Sequence, residues 1–321
     1  MSSGNRIEIQ DLTRVYGSLC AVDELSLTVG TEIFGLLGPN GSGKTTTVLM
    51  LTTLLSPTSG TARVCGHDVV TDAREVRNHI SYVPQEMAVD IKLTGRENVA
   101  LFARLYGIDR RDEKVDEVLG IMELDARADD LVRTYSGGMR RRLELAQALV
   151  HEPAVLFLDE PTIGLDVAAR QKIWEHIRAL KGRGMTIFVT THYMDEADHS
   201  CDRVGILDHG RLVAVDSPAR LKNHRGQDII TIRISGSWDG RVPDGVRFLG
   251  DEGEDLVFSA RDGSAMVPGL VRHFEQQGAV VRSIAVRTPT LDDVFLSLVR
   301  TRDEPGGFDD YRFRTMLRRR S

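Results

Sequence analysis

Gly38-Pro39-Asn40-Gly41-Ser42-Gly43-Lys44-Thr45 has the form G-x-x-x-x-G-K-T, a loop whose backbone N–H groups cradle phosphates. Its surroundings suit that reading. The apolar run 33–37 precedes it as a buried strand, and a helix is predicted from Thr45 to Leu54. Successive N–H groups in such a loop form an anion nest, and the helix N-terminus adds partial positive charge. In that chemistry Lys44 reaches the β- and γ-phosphates, the Thr45 hydroxyl ligates Mg²⁺ and Thr46 continues the phosphate-binding turn.

Outward from the loop, residues 6–29 alternate like paired strands and 60–69 reads as a hairpin, with strand character expected up to about Tyr82. From about Thr94 to Leu149 the pattern is helical: Asn98, Leu101, Phe102, Leu105 and Tyr106 recur at helical spacing, as do Val115, Val118, Leu119 and Met122. Strand 155–158, helix 170–180 and strand 186–190 then alternate, which argues an α/β core with parallel strands. The helical stretch, about 86–150, is an insertion into it. Composition shifts near Ser217-Pro218 and again around Gly226. Beyond lies a small α+β unit, 218–300, with strands at Ile230-Ile232-Ile234, Leu256-Val257-Phe258 and 280–286, and a helix at 267–277. Thr290 can cap a last helix with Leu291, Val294, Phe295 and Leu298 on its apolar face. The tail 301–321 is rich in Gly, Asp and Arg and is expected to be mobile.

The 321 residues carry a formal net charge of -6, which argues against a protein that coats nucleic acid. No apolar run approaches the roughly 18 residues of a membrane span. The start, Met1 to Arg6, lacks a signal-peptide core and a lipidation motif, so the cytoplasmic side is expected. Cys20, Cys65 and Cys201 lie far apart and read as reduced thiols.

Two further stretches carry chemistry. Val155-Leu156-Phe157-Leu158-Asp159-Glu160 is an apolar strand ending in two carboxylates. Strand polarity puts them at the C-terminal edge, where ligands bind in such sheets. Asp159 can hold Mg²⁺, leaving Glu160 to activate an attacking water. Tyr135-Ser136-Gly137-Gly138-Met139 places a good N-cap, Ser136, before a helix with Leu143, Ala146, Leu149 and Val150 on its apolar positions. Gly137 and Gly138 allow close backbone approach to a ligand, making a second anion site; a plain capped helix start is the alternative. Arg140, Arg141 and Arg142 read as a solvated face rather than a phosphate clamp.

Over about residues 6–217 the chain resembles the ATPase subunits of ATP-binding cassette (ABC) transporters. Ser136-Gly137-Gly138 matches the family's Leu-Ser-Gly-Gly-Gln signature, with Tyr135 for Leu and Met139 for Gln. The resemblance implies roles for further residues. Tyr16 falls where the family stacks an aromatic on adenine, although a strand-end core tyrosine uses the same pattern. Gln85 matches the glutamine that senses Mg²⁺ and the attacking water, although it also suits a turn after Pro84. Gly164-Leu165-Asp166 matches the loop that communicates across a dimer. His192 matches the switch histidine at the γ-phosphate. Expected catalytic residues are therefore Glu160, His192, Gln85 and Lys44, with Thr45, Gln85 and Asp159 at the metal.

The implied fold is α/β, a P-loop NTPase core with an antiparallel β subdomain and an inserted helical subdomain, plus the C-terminal α+β domain. The implied cofactors are ATP and Mg²⁺. The implied partners are an integral membrane permease subunit and a second cassette in a homodimer, at the cytoplasmic face of the membrane, without nucleic acid. Thr288-Pro289-Thr290-Leu291-Asp292-Asp293-Val294-Phe295-Leu296, taken with residues 135–142, is similar to the daunorubicin/doxorubicin-type drug-efflux ATPases and to nodulation-factor exporters. A packed terminal helix has the same apolar pattern. An exporter ATPase acting on a drug, lipid or other amphiphile is the expected function. An importer ATPase and a soluble non-transport ABC ATPase are the alternatives.

Overall fold

The computed structural model of the protein describes residues 5–225, 227–295 and 298. The first four residues, Gly226, Leu296 of the C-terminal motif and the tail 301–321 lie outside the described residues. The chain divides after Ser217 into two compact units.

In the first unit, β1 (Ile7–Tyr16) and β2 (Leu19–Val29) form an antiparallel pair with Ile7 opposite Val29 and Tyr16 opposite Leu19. Their alternation buries Ile7, Ile9, Leu25, Leu27 and Val29 while Glu8, Ser26 and Thr28 face outward, the pattern of a half-covered sheet. In β3 (Ile33–Leu37), by contrast, every residue is buried, as in a strand covered on both faces. It leads through the phosphate-loop sequence into α1 (Lys44–Leu51). β4 (Ser59–Val64) and β5 (His67–Asp68) extend the outer sheet to the order β2-β1-β4-β5. α2 (Ala73–His79) then stands where strand character was expected. It is seven residues long and buries only Val76, so it carries no apolar period that a sequence pattern could reveal. β6 (Ile80–Val83) follows.

The helical insertion contains α3 (Gly95–Leu105), α4 (Arg111–Ile121) and α5 (Gly137–Leu149). α3 opens on a capping box in which Thr94 and Glu97 bond reciprocally. Its buried positions are Gly95, Asn98, Val99 and Ala103, and its leucines are not among them: Leu101 and Leu105 are 45% and 73% exposed. Of the stripe seen in the sequence, Leu101, Leu105 and Tyr106 therefore point outward, while Asn98 is buried and Phe102 half-buried. Asn98 is buried because its amide bonds Asp90 N–H at 3.0 Å and the Asp90 and Thr94 carbonyls at 2.9 Å, fastening the loop before the helix.

The chain returns to the core through β7 (Val155–Asp159), α6 (Val167–Gly182), β8 (Thr186–Thr191), α7 (Met194–Ser200), β9 (Arg203–Asp208) and β10 (Arg211–Asp216). The central sheet has the order β10-β9-β3-β8-β7-β6. All its pairings are parallel except that of β10 with β9. Among the described residues no helix is long and apolar enough to cross a membrane.

The second unit contains α8 (Pro218–Arg225), β11 (Asp228–Ser235), β12 (Val246–Glu252), β13 (Asp255–Ala260), α9 (Gly263–Gln276) and β14 (Val280–Arg287). Its antiparallel sheet runs β12-β13-β11-β14. Ile230, Ile232, Phe258, Leu270 and Phe274 form the core. Residues 291–295 are helical. Thr290 caps them: Asp293 N–H donates to Thr290 Oγ1 at 3.3 Å and Thr290 N–H to Asp293 Oδ2 at 2.8 Å. Leu291, Val294 and Leu298 are buried, but Phe295 is only half-buried, so it contributes less to that face than its size suggests. Phe258→Ala is expected to cost about 3–5 kcal/mol and Phe295→Ala about 1–2 kcal/mol. Urea denaturation midpoints of the two variants would show whether that order holds.

Candidate functional site

Four adjacent parallel strands end at one edge, and each delivers a candidate residue there. The register pairs Leu37 with Thr191, Asp159 with Thr190 and Val83 with Leu158. The phosphate loop after β3, His192 after β8, Asp159-Glu160 at the end of β7 and Gln85 after β6 are thus brought together by topology. Ligands bind at such C-terminal edges because the helix N-termini converge there.

The loop can be made only with glycine at key points. Gly43 has φ 105°, and a Cβ on it would lie 2.3 Å from the Ala21 carbonyl oxygen. A Cβ on Gly38 would lie 2.3 Å from the Leu207 carbonyl oxygen. Lys44 is buried and its Nζ donates to the carbonyls of Gly38 (2.9 Å) and Pro39 (3.0 Å), 3.8 Å from Glu160 Oε1. Burial pushes the Lys44 ammonium below its ordinary pKa, while Glu160 and Asp159 pull the other way. Ser42 Oγ is buried without a hydrogen-bond partner in the protein, a donor suited to an incoming phosphate oxygen. Thr45 is exposed and Thr46 half-buried at the start of α1, whose first turn has no acidic residue to occupy its N–H groups.

The two acids are held differently. Asp159 is buried and its Oδ1 accepts from the Thr190 hydroxyl. Tyr82 lies near Asp159: burial first, then that neighbouring carboxylate, push its phenol up to about 12. Glu160 takes φ 47°, a conformation that costs a non-glycine residue on the order of 1–3 kcal/mol. Its N–H donates to Thr190 O and Oγ1, both at 3.1 Å. Its Oε2 lies 3.0 Å from His192 Nδ1. Lys44, Glu160 and His192 therefore form one contiguous cluster beside Asp159. Gln85 is exposed in the loop after β6. Tyr16 is 43% exposed, with the Arg14 guanidinium 4.6 Å above its ring. It is not a core tyrosine, and its ring can serve as a stacking surface.

The signature residues stand apart from that cluster in their contacts. Ser136 caps α5, accepting from Met139 N–H at 3.3 Å, and both Ser136 and Gly137 are exposed. Gly138 is required by a neighbour: a Cβ there would lie 2.9 Å from Ala169 Cβ on α6. Asp166 caps α6, its Oδ1 accepting from Ala169 N–H at 2.8 Å. The loop between β7 and α6 is held by Thr162, which donates to Glu196 at 2.6 Å, and by Arg170, which donates to the Leu165 carbonyl at 2.9 Å.

The arginine run corrects the sequence reading. Arg140 bonds the Arg133 carbonyl and Arg142 the carbonyls of Met122 and Glu123, while Arg141 is buried against backbone oxygens. Neither a solvated face nor a phosphate clamp describes them. Arg141 and Glu144, spaced one helical turn apart, were the available signal. Thr190 and Tyr82 also escaped notice, because partners on neighbouring strands leave no local pattern.

The sequence profile of the family described as ABC transporter matches residues 22–163. The daunorubicin resistance ATP-binding protein of Streptomyces coeruleorubidus is 42% identical over 302 residues, covering 91% of this chain and 95% of that protein. The daunorubicin/doxorubicin resistance ATP-binding protein of Streptomyces peucetius is 39% identical, covering 91% and 92%. The Nod factor export ATP-binding protein I of Sinorhizobium fredii is 39% identical, covering 91% and 85%. A solved ATP-binding subunit of an ABC transporter superposes with a TM-score of 0.62 at 26% identity over 68% of this chain and 93% of its own.

Proposed function

The chain belongs to the ABC transporter family as an ATP-hydrolysing subunit of the export type, and from that premise we propose how its residues divide the chemistry. The observation that carries the proposal is the Lys44–Glu160–His192 cluster, together with a signature whose contacts lie elsewhere. One chain then supplies half of each of two sites. Two cassettes face head to tail, with Tyr16, the phosphate loop, Gln85, Asp159, Glu160 and His192 of one chain completed by Ser136, Gly137 and Gly138 of the other, and Asp166 at the seam.

On nucleotide binding, Lys44 exchanges the carbonyls of Gly38 and Pro39 for β- and γ-phosphate oxygens, and Ser42 gains an acceptor. Glu160 takes the proton from the attacking water. His192, bonded to Glu160 through Nδ1, is assigned the γ-phosphate through its other ring nitrogen. Thr45, Gln85 and Asp159 offer hydroxyl, amide and carboxylate oxygens, the hard donors that suit Mg²⁺. Bound there, the ion supplies charge neutralisation at the phosphates. The chemistry is positioning and electrostatics, with no covalent intermediate required.

The relatives' names concern drug resistance and export, which favours export over the importer and non-transport readings. The cargo we assign is an amphiphile, a drug or lipid-like compound, selected by a separate integral membrane subunit. The cassette sits peripherally at the cytoplasmic face of the membrane. Residues 218–300 are assigned an accessory role in the assembled transporter, since the catalytic cluster lies wholly within the first unit.

The outward stripe of α3, Leu101 and Leu105 with Tyr106, is the surface we assign to the membrane subunit. Contiguous exposed apolar area commonly marks an interaction site. Leu101→Asp/Leu105→Asp is expected to abolish co-purification with the co-expressed membrane subunit, while ATP hydrolysis by the isolated chain stays within about 2-fold, as expected for surface substitutions away from the site. Undiminished co-purification would remove α3 from the interface.

A further inference from the structure

Arg141 and Glu144 sit one turn apart on α5 and are 3% and 4% exposed. Arg141 Nη1 donates to Glu144 Oε2 at 2.8 Å. The remaining bonds of this buried pair fall into two brackets. Arg141 Nη2 donates to the Asp159 carbonyl at 3.2 Å and Nε to the Pro161 carbonyl at 2.9 Å. Those two carbonyls stand immediately before and after Glu160. Arg141 Nη1 also donates to the Pro84 carbonyl at 2.8 Å, and Glu144 Oε1 accepts from Ala88 N–H at 2.6 Å. Those two groups stand on either side of Gln85.

We propose that Arg141 and Glu144 are a positioning pair for ATP hydrolysis: the pair holds the backbone of Glu160 and the segment bearing Gln85 in fixed relation to each other, and joins both to the helix that begins at Ser136. The proposal rests on the reading of Glu160 as the catalytic acid.

Three physical facts support it. Glu160 keeps φ 47°, and a strained conformation persists only where its surroundings over-determine it. A guanidinium is a rigid planar fork with five donors, so it can fix several carbonyls at once; an ammonium is a point charge on a flexible stem. Hydrophobic residues of similar volume often replace a buried ion pair without loss of stability. Holding the fold together therefore does not require an ion pair here, whereas gripping four backbone groups does. α5 is a continuous helix, so movement at its Ser136 end displaces Glu160 and Gln85 together.

The test uses the full-length chain, with MgATP turnover, equilibrium binding of a fluorescent ATP analogue and thermal melting measured side by side. Arg141→Met/Glu144→Leu removes both charges and keeps the volume. Its turnover number is expected to fall about 30–100-fold, the scale of a small misplacement of reacting groups, with nucleotide affinity within about 3-fold of wild type. Should that variant not fold, Arg141→Lys decides. It preserves the charge but cannot grip both sides of Glu160, so its turnover is expected to fall about 10-fold or more on the same grounds. Glu160→Gln is the control. A folded pair variant with wild-type turnover, beside an inactive Glu160→Gln, overturns the positioning role alone. A loss of affinity in step with the loss of turnover overturns it too, because the pair would then only maintain the nucleotide pocket. Wild-type turnover in Glu160→Gln overturns the catalytic assignment on which the proposal stands.

Discussion

Glu160→Gln is expected to hydrolyse ATP at least about 100-fold more slowly than the wild-type chain, the scale of a lost general base, while binding ATP no less tightly. The geometry supports both halves of that expectation. Glu160 is placed between Lys44 and His192, with Oε1 3.8 Å from the lysine and Oε2 3.0 Å from the imidazole. An amide in the same place cannot accept the proton of the attacking water. Removing the carboxylate also removes negative charge beside the phosphate loop and leaves Lys44 with Asp159 alone of its two anionic neighbours, which favours an incoming anion. The variant should therefore accumulate as an ATP-dependent dimer. Turnover and gel filtration with and without ATP check the two effects. Near-wild-type hydrolysis would remove Glu160 from the catalytic role, whatever the dimer does.

Mixing a Lys44→Ala chain with a Ser136→Arg chain should restore hydrolysis that neither shows alone. In either homodimer both composite sites are damaged. In the mixed dimer both lesions fall in one site, because Lys44 and Ser136 of the same chain serve different nucleotides, and the other site is intact. Ser136→Arg also deletes the cap of α5, worth about 1 kcal/mol, so melting temperatures must accompany the assay. Recovery on mixing, absent from each chain separately, is the expected result. Mixed dimers that form but stay inactive would count against sites shared between chains, or for strict coupling of the two sites.

The candidate site was legible to different depths. The phosphate loop could be read because its chemistry is local: glycines, lysine and threonine act through spacing along one turn. Asp159 and Glu160 could be read because an all-apolar strand ending in acids announces both its burial and its polarity. One sequence pattern at Tyr16 serves a ligand surface and a core side chain alike; its exposure excludes the core one. The run of three arginines by itself carries no sign of which one faces inward, and only the spacing of Arg141 to Glu144 sets it apart.

The sequence by itself determined the succession of strand, phosphate loop and helix over residues 33–51, the apolar strand ending in Asp159 and Glu160, and the α+β character of the C-terminal unit. Each of these depends on residue types at short range, through alternation, helical period and turn chemistry. The tertiary structure alone decided what depends on neighbours distant in the chain. α3 turns its leucines outward because Asn98, Val99 and Ala103 take the inner face. Gly138 is glycine because Ala169 of another helix lies against it. Thr190 secures Asp159 and the backbone of Glu160 because β8 lies beside β7 in that register. Arg141 reaches backbone on both sides of Glu160 because α5 packs beneath the loops that follow β6 and β7. Burial and hydrogen-bond partnership are properties of what packs against a residue, and packing is settled only when the whole chain has closed around it.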